Sequence, residues 1–494
     1  MRFRSGRDTV RLCLAAFLGI ATVAPPAAAA EAGDRTADKS AGKADDKSDT
    51  KTSEQAPSQT PGQTDTSTDK PGGEDKDKLK QGEKQLLGDL WGLRPALEPY
   101  GITFGLTETS EALGNFTGGL RRGAIYDGVT DANVKFDFRP YFKWRAVFFV
   151  RAYQIHGRGL TANYVGNLDT VSSIEATRTT RLFELWYEQH IADWLRIRVG
   201  QQNAGQEFMI SEHARLFING TFGWPALPSI DLPSGNGGYP LATPAIRFRI
   251  DAGDDLTLFA GLFNGDPAGP GVGDPQLRDA SGTAFRVNDG AFAITELRYN
   301  PGNTPSNGTY RLGGWFHSER FRDPRFDTAG VSLASPASNG QPRLHQTNQS
   351  LYAIVDQPIG HESGSDAGFA VFGRAMAAPS NRNLVDFYAD AGITYKGPFE
   401  RKDDIAGIGI AYTRIGNAAR ALDADRRAFT GLPFQIRDNE TVVELTYQAQ
   451  LAPWFQVQPN FQYIFRPDGG VSQTDPTRHL RDAAVLGVRT VITF

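Results

Sequence analysis

The sequence predicts an all-β protein whose main domain is a 16-stranded antiparallel transmembrane β-barrel of the outer membrane. Three observations predict this fold. The C-terminal strand alternates between apolar and polar residues, fifteen other segments show the same alternation, and the connections between segments alternate between short and long. In the strand from Asp482 to Phe494, Leu486, Val488 and Ile492 share one face with the terminal aromatic residue. An edge strand of a soluble sandwich has the same pattern, so the other two observations decide the fold.

The N-terminus predicts export. Four arginines lie within the first eleven residues, an apolar run follows from Leu12 to Val23, and small residues end the segment at Ala30. This order is typical of a secretory signal peptide for the Sec route, so we assign residues 1–30 to it. The only cysteine, Cys13, lies inside the apolar run, so we expect a mature chain without thiols or disulfides.

Residues 31–82 differ in composition from the rest of the chain. Asp, Lys, Ser, Thr, Gln, Gly and Pro make up nearly all of this segment, which contains no aromatic residue. Such a segment buries too little apolar surface to offset its chain entropy, so we predict a disordered polar spacer. Leucines at near-helical spacing then predict a short helical segment over 83–98, and the barrel domain covers 99–494.

Sixteen alternating segments follow Tyr100, and single-chain bacterial barrels have an even number of strands. The segments begin near Ile102, Asp131, Trp144, Thr180, Trp194, Pro244, Leu256, Gly290, Thr309, Gln349, Ala367, Asp386, Ile405, Glu440, Trp454 and Asp482.

Short and long connections alternate along this region. The short connections include 140–143, 192–193 and 452–453, and aromatic residues gather beside them. The long ones are 112–130, 154–179, 203–243, 264–289, 319–348 and 416–439, with 378–385 of modest length. Outer-membrane barrels have tight periplasmic turns and long external loops, so both termini should be periplasmic.

The inward face of a sixteen-stranded barrel lines an aqueous channel, and here it carries both signs of charge. Arginine forks, carboxylates and aromatic faces suit neutral, hydroxyl-rich solutes, although inward charge also serves simply to hydrate a lumen. The predicted channel-lining residues are Glu184, Trp186, Glu188, Arg196, Arg198, Arg247, Arg249, Glu296, Arg298, Glu444 and Gln448. Outward positions would include Phe183, Leu185 and Tyr187.

The connection 203–243 is the longest, and it has enough Pro and Gly to bend back on itself. We expect it to enter the lumen and form the constriction. Its candidate constriction residues are Glu207, Arg215, Trp224 and Asp231.

Four motifs in this chain resemble those of the carbohydrate-selective porin family, the OprB type. They are LLGDLWGLRPALEPYGI at 86–102, GNFTGG at 114–119, RVGQQNAGQEFMIS at 198–211 and GLFNGDPAGPG at 261–271. The first departs slightly, with Leu90 and Trp91 where the family pattern has Trp-Gly. The resemblance over 86–494 implies a sixteen-stranded barrel for passive uptake of glucose and related sugars, with arginine and glutamate at its constriction.

Two other functions stay open on the sequence: a general porin or one selective for anions or sugar acids, and a secreted β-protein that binds polysaccharide. The scattered histidines and the lack of catalytic motifs argue against an enzyme, a cofactor or a metal site. A net charge of −4 without a basic stripe argues against nucleic acid. The expected partners are outer-membrane lipid and carbohydrate solutes, with a homotrimer and a periplasmic or peptidoglycan contact through 31–82 as further candidates.

Overall fold

The computed structural model describes residues 84–361, 367–473 and 475–494. Sixteen strands form one closed antiparallel barrel in which each strand pairs with its chain neighbours and β1 pairs with β16, as the sequence predicts. The strands are β1 Ile102–Thr117, β2 Gly123–Asp137, β3 Ala146–Gly157, β4 Thr179–Ala192, β5 Leu195–Gln202, β6 Thr243–Asp251, β7 Leu256–Asn264, β8 Ala291–Tyr299, β9 Thr309–Asp327, β10 Pro342–His361, β11 Gly368–Ala377, β12 Val385–Lys396, β13 Ile405–Ile415, β14 Asn439–Ala452, β15 Phe455–Phe465 and β16 Ala483–Thr493.

Helices are short and lie outside the strands. The α-helices are α1 Leu93–Leu97, α2 Arg139–Phe142, α3 Ala226–Asp231, α4 Pro275–Arg278 and α5 Asn417–Thr430. The 3₁₀ helices are Glu98–Tyr100, Ala204–Gln206, Ala214–Leu216, Gly220–Phe222, Pro233–Gly235, Pro301–Asn303, Pro305–Asn307, Pro398–Glu400 and Pro467–Gly470, with a π-helix at Thr161–Val165. Among the described residues, no helix is long and apolar enough to cross a membrane.

The N-terminal helix is shorter than the predicted segment 83–98. Turns occupy residues 84–92, and regular helix begins only at Leu93. Gly88, Leu90, Trp91 and Gly92 all have positive φ, which a continuous right-handed helix does not tolerate. The predicted signal peptide and the predicted spacer, residues 1–82, lie outside the described residues.

Eight connections, among them the longest of the described residues, lie at one end of the barrel, and we number them as loops in chain order. Loop 1 is 118–122, loop 2 is 158–178, loop 3 is 203–242, loop 4 is 265–290, loop 5 is 328–341, loop 6 is 378–384, loop 7 is 416–438 and loop 8 is 466–482.

The prediction of a long connection over 112–130 is wrong, because β1 and β2 occupy most of this range. The expected connection 319–348 is also mostly strand. The residues in this range are polar on both faces of the strands, so the sequence does not show the alternation that would have revealed the ends of β9 and β10.

The described segment before β1 meets the C-terminal residues at the opposite end of the barrel, beside the short turns. The Phe494 N–H donates to the Leu106 carbonyl at 2.9 Å, which continues the β16 edge along β1. The Arg94 guanidinium donates to the Phe494 carbonyl at 2.7 Å and to the Phe104 carbonyl at 3.0 Å. The Leu86 N–H donates to the Thr493 carbonyl at 2.8 Å. The segment before β1 therefore fastens the seam at which the barrel closes.

One predicted outward residue lies inside. The β3–β4 register shifts between Arg151 and Ala152, and Phe183 occupies the irregular position on β4. Its ring packs 4.6 Å from the Tyr153 ring, measured between centroids, and the side chain is fully buried. A bulge inserts one residue and reverses the alternation locally. The outward prediction for Phe183 is therefore wrong.

Candidate substrate pathway in the barrel lumen

Loop 3 crosses the interior of the barrel. Near its start, the Phe208 ring contacts Phe259 on β7, with 6.3 Å between the ring centroids. Further along, Phe217 packs on Phe372 of β11 at 5.6 Å. The N–H groups of residues 218 and 219 then donate to Glu444 on β14 at 2.6 and 2.9 Å. Because it contacts walls on both sides, the loop narrows the lumen.

Arg374 on β11 holds the middle of loop 3 in place. Its guanidinium pairs with Asp390 on β12, and both side chains are fully buried. It also donates to four loop carbonyls at 2.7 to 3.0 Å, those of Met209, Thr221, Phe222 and Gly223. One arginine therefore satisfies backbone acceptors on two turns of the loop, which would otherwise be buried without partners.

Loop 2 also enters the barrel, which the sequence reading did not predict. The Asp169 N–H donates to Glu440 on β14 at 2.8 Å, and the Thr413 hydroxyl on β13 donates to the Asp169 carboxyl at 2.8 Å. The Ser173 N–H donates to the Ile218 carbonyl of loop 3 at 2.8 Å. Burial raises the pKa of Asp169 to about 7, although its hydrogen bonds act to lower it. The two loops thus form one inserted unit.

A charged cluster on β4, β5, β6 and loop 3, the wall cluster, consists of Trp186, Glu188, Arg198, Glu207 and Arg247. Arg247 lies 2.6 Å from Glu188 and 2.7 Å from Glu207, and Arg198 lies 2.9 Å from Glu188. The Arg198 guanidinium stacks 3.9 Å over the Trp186 ring. Burial raises the pKa of Glu207, but Arg247 and Arg198 outweigh it and hold that pKa below its ordinary value. The two arginines and two carboxylates compensate one another.

A second cluster, the constriction cluster, consists of Glu212 and Arg215 on loop 3, Arg298 on β8 and Arg311 on β9. The Glu212 carboxylate lies 3.2 Å from Arg311 and 3.5 Å from Arg215, and its side chain is 53% exposed. Arg298 pairs with Glu296 at 2.6 Å and stacks 3.9 Å over the Phe259 ring. Burial acts to raise the pKa of Glu212, but Arg215, Arg311 and Arg298 hold it at about 2. Glu212 is therefore an exposed, permanently ionised carboxylate inside the barrel.

The structure brings nine of the predicted residues into or beside these two clusters. The wall cluster contains Trp186, Glu188, Arg198, Glu207 and Arg247, and the constriction cluster contains Arg215 and Arg298. Glu296 accepts the Met209 N–H at 2.9 Å and the Tyr352 hydroxyl at 2.9 Å, so it fixes loop 3 as well as Arg298. Glu184 lies beside the wall cluster, 3.7 Å from Arg151, and accepts the Asn203 N–H at 3.3 Å.

The other predicted residues lie apart from the two clusters. Arg196 and Arg249 both face Asp251 near the short turns, at 4.0 and 2.9 Å. Gln448 donates to Gln456 at 2.8 Å. Glu444 is used as the anchor of loop 3.

Two of the loop 3 predictions also lie away from the constriction cluster. Asp231 accepts the Leu384 N–H at 2.7 Å, and burial raises its pKa well above the ordinary range. Trp224 packs against Gly205 and Gly237 within loop 3, at positions where an added Cβ would collide with its ring. Both residues support the shape of the loop.

The sequence reading did not single out Arg151, Glu212, Arg311 or Arg374 as candidate sites. Each of the three arginines stands alone between outward apolar or small residues, such as Tyr310 and Leu312 around Arg311. A stricter search for isolated inward arginines in alternating strands would have found them. Nothing in the loop sequence distinguishes Glu212 from Glu207, because only the folded loop exposes one and buries the other.

A closed sixteen-stranded barrel with polar loops folded into its lumen defines an outer-membrane diffusion channel. The family model for the carbohydrate-selective porin, OprB family, matches residues 121–494. The chain therefore belongs to this family and is an outer-membrane porin for carbohydrates. Fold and family point to a channel rather than an enzyme, and they replace the alternative of a secreted polysaccharide-binding protein.

Similar proteins cover most of the chain. Porin B of Pseudomonas aeruginosa is 26% identical over 442 residues, which are 85% of this chain and 93% of that protein. The high-pH structure of Pseudomonas putida OprB superimposes with a TM-score of 0.73 at 22% identity, covering 83% of this chain and 99% of that one. The low-pH structure of the same protein gives a TM-score of 0.51 at 19% identity, covering 83% and 98%. These two likenesses show the shared fold.

Proposed function

We propose that the chain passes small neutral sugars, such as glucose, by passive diffusion, and that the constriction cluster contacts the sugar. The observation that carries this proposal is the exposed Glu212 carboxylate, which pairs with Arg311 and Arg215 and lies near Arg298, itself held by Glu296. A sugar hydroxyl both donates and accepts hydrogen bonds, so it can interact with Glu212 and with a guanidinium at once. A solute without hydroxyl groups gains only part of this interaction.

The wall cluster lies beside this pathway and adds little charge to it. All five of its side chains are buried, and Arg198 covers the Trp186 ring, so the cluster offers no open aromatic face to a solute. Its compensated charge disfavours a strong attraction for ions of either sign. The proposal therefore assigns sugar preference to hydrogen bonding with fixed groups, not to a net field.

Liposome swelling with purified protein tests this function. We compare glucose, a disaccharide, a neutral amino acid close to glucose in size, and a sugar acid. Glucose should enter faster than the amino acid, and Arg215→Gln should reduce this preference. Arg145→Gln at a short turn, where Arg145 pairs with Asp193 at 2.6 Å, is the matched control and should leave it intact. Equal rates for solutes of equal size in the wild type would reduce the function to general diffusion.

A second candidate function is selectivity for sugar acids or other anions. The observation that favours it is the excess of arginine over exposed carboxylate in the constriction cluster, three to one. Reversal potentials in a salt gradient separate the two candidates. A strong anion preference, with faster swelling in a sugar acid than in glucose, would support the second candidate over the first.

We also propose the topology that follows from this function: Sec-dependent export directed by residues 1–30, with both termini in the periplasm. The fastening of Leu86 and Arg94 to the last two residues, at the end with short turns, supports a common side for the termini. The predicted spacer at 31–82 would then reach peptidoglycan or a periplasmic partner. An epitope placed at residue 60 should be protected from protease in intact cells and cleaved after the outer membrane is opened.

A further inference from the structure

A cavity of about 300 Å³ lies apart from the substrate pathway, at the loop end of β2, β3 and β4. Three arginines line it, and we call it the rim cavity: Arg121 comes from loop 1, and Arg158 and Arg178 are the first and last residues of loop 2. All three side chains are exposed. A cavity of this volume is at the lower end of the range for small-ligand sites.

The positive charge of the rim cavity is not compensated by acidic side chains. In the described part of the chain, none of its three arginines forms an ion pair, whereas other loop arginines do, such as Arg325 with Asp425 at 2.8 Å. Two carboxylates contact the cavity wall, and both are bound elsewhere. Glu175 accepts the N–H groups of residues 160 and 161 at 3.0 and 3.1 Å, and Asp274 accepts a threonine hydroxyl.

One wall of the rim cavity is built by contacts between loops 1 and 2. The buried Asn115 amide donates to the carbonyls of Gly118, Arg121 and Tyr164 at 3.0, 2.9 and 3.2 Å, which holds the two loops together. The Arg121 Nε–H donates to the Asn163 carbonyl at 2.9 Å, and its guanidinium stacks 4.5 Å over the Tyr164 ring. These contacts use Nε and the flat face of the guanidinium, so both Nη groups remain for a ligand.

The opposite wall is a tight turn with Arg158 between two glycines. Gly157 has a φ of 84°, and a Cβ there would lie 2.3 Å from the Tyr126 carbonyl oxygen. A Cβ at Gly159 would lie 2.0 Å from the carboxyl carbon of Glu175. The Arg158 N–H donates to the Tyr126 carbonyl at 2.8 Å, so the pairing of β3 with β2 continues as far as this arginine. The backbone therefore fixes where Arg158 leaves the strand.

The rim cavity lies at the depth of lipid headgroups. Arg158 directly follows the 12 residues of β3, which place it about 40 Å from the short-turn end at roughly 3.3 Å per residue. A strand tilt of about 40° reduces this to about 30 Å along the membrane normal, beyond an apolar band about 25 Å tall. Gln154 and His156 alternate with the buried residues Tyr153 and Ile155, and Arg158 continues their outward face. Its guanidinium therefore lies beside the headgroups of one leaflet.

We propose that the rim cavity binds a phosphate group of a phosphorylated glycolipid of the outer leaflet, of the lipid A type. The placement in the outer leaflet rests on the topology proposed above, in which the loops are external. Three neighbouring cations repel one another, and a phosphate monoester neutralises them with oxygens that match the guanidinium fork. The acyl chains would then lie along the outward faces of β2 and β3, below the cavity.

Native mass spectrometry of the purified protein in detergent tests this site. The wild type is titrated with lipid A, with chemically dephosphorylated lipid A, and with phosphatidylglycerol. Lipid A should bind at one molecule per chain, and removal of its phosphates should weaken binding by about tenfold or more, because charged hydrogen bonds are lost. Binding in detergent does not depend on orientation in the cell. A failure here would therefore leave the proposed topology and the sugar pathway standing.

The double variant Arg158→Gln with Arg178→Gln should also weaken lipid A binding by about tenfold or more. The matched control is Arg420→Gln with Arg427→Gln, which removes the same charge from α5 at the same end of the barrel. It should bind lipid A as the wild type does. Both variants should keep the glucose swelling rate of the wild type, which shows that they are folded.

Four results would overturn the proposal. They are equal binding of lipid A and its dephosphorylated form, phosphatidylglycerol bound as tightly as lipid A, equal losses in the two double variants, and full affinity in Arg158→Gln with Arg178→Gln. Inorganic phosphate separates a lipid site from a site for free phosphate. Millimolar phosphate should leave lipid A bound, and its displacement would assign the cavity to free phosphate instead of a lipid.

Discussion

Glu212 and Glu207 belong to the same loop, five residues apart, and have opposite surroundings. Glu207 is buried between Arg247 and Arg198, whereas Glu212 exposes half of its side chain beside Arg311 and Arg215. Both carboxylates are stabilised as anions by arginine, against the cost of burial. Only Glu212 is placed to interact with a passing solute.

Replacing Glu212 with Gln should shift the pore toward anions. The substitution removes the exposed negative charge and leaves Arg215, Arg298 and Arg311 less compensated, so the ratio of cation to anion permeability should fall severalfold. Asp193→Asn, which removes an equal charge from an exposed short turn, should leave the ratio unchanged. Reversal potentials in a KCl gradient measure both variants, and an unchanged ratio for Glu212→Gln would remove this residue from the pathway.

The low pKa of Glu212 gives a prediction for the wild type as well. A carboxylate with a pKa of about 2 stays ionised from pH 4 to pH 8, so Glu212 should contribute no change in ion selectivity over that range. Selectivity titrations that reveal a group near pH 4 to 5, and that lose it in Glu212→Gln, would contradict the ion pairs described for this residue.

Asp169 should make the anchor of loop 2 sensitive to pH. Its pKa in the folded protein, about 7, lies above the ordinary value of 3.8, because burial favours the protonated form and outweighs the hydrogen bonds with Thr413 and Glu440 that lower this pKa. The contribution to stability is therefore complete below about pH 4 and is lost as the pH rises through 7. Hydrogen exchange of residues 160–175, corrected for intrinsic rates, should be faster at pH 8.5 than at pH 5.5. Asp169→Asn should reduce this difference, and an undiminished difference would argue against Asp169 as the titrating group.

Loops 2 and 3 are the elements that turn a wide barrel into a selective one. Neither has much regular structure, and each is held by buried side chains of the wall: Glu440 for loop 2, and Arg374, Glu296 and Glu444 for loop 3. A loop whose backbone donors and acceptors are satisfied by the wall keeps one conformation inside the lumen. Loops 2 and 3 are therefore fixed parts of the pore wall.

Arg374→Ala should release loop 3. The change leaves the buried Asp390 carboxylate and four loop carbonyls without their main donor, which should cost about 3–5 kcal/mol, as for other broken buried pairs. Single-channel recordings should show higher and noisier conductance with weaker preference for glucose. The control is Arg414→Ala, which removes a partly exposed arginine paired with Asp386 on β12. Unchanged conductance in Arg374→Ala would show that other anchors suffice.

At the scale of the whole molecule, closure depends on the pairing of β1 with β16, the strands furthest apart in sequence. The seam is reinforced by the buried pair of Glu111 with Arg489 and by the bonds from Arg94 to the backbone of both strands. Long-range pairings of this kind form late, because they carry the largest loop-closure entropy. The N-terminal segment thus stabilises the β1–β16 pairing, which is the strand pairing expected to form last.

Arg94→Ala should weaken closure without altering the pore. Loss of two charged hydrogen bonds and of the stacking on Phe104 should lower stability by about 1–3 kcal/mol. The temperature at which the folded form unfolds on a denaturing gel should fall, while swelling rates at room temperature stay the same. Arg139→Ala, which breaks a pair with Asp137 at the same end, is the control and should have a smaller effect. Equal effects would mean that Arg94 acts only locally.

The sequence by itself determined the barrel, its strand number, and much of which side chains face inward. It could do so because alternation along a strand has a fixed period and is visible wherever one face meets lipid. It failed where that contrast is missing, as in the polar ends of β9 and β10, and where a bulge changes the period, as at Phe183.

Only the tertiary structure decided which inward charges serve the pathway and which hold the loops. Glu444 and Asp231, predicted at the pathway, are anchors for backbone N–H groups, whereas Glu212 is exposed beside arginines from β8, β9 and its own loop. The physical reason is that a strand pattern specifies the side of the sheet but not the partner across the lumen. Those partners are brought together by loops 2 and 3, whose path depends on contacts between residues distant in sequence.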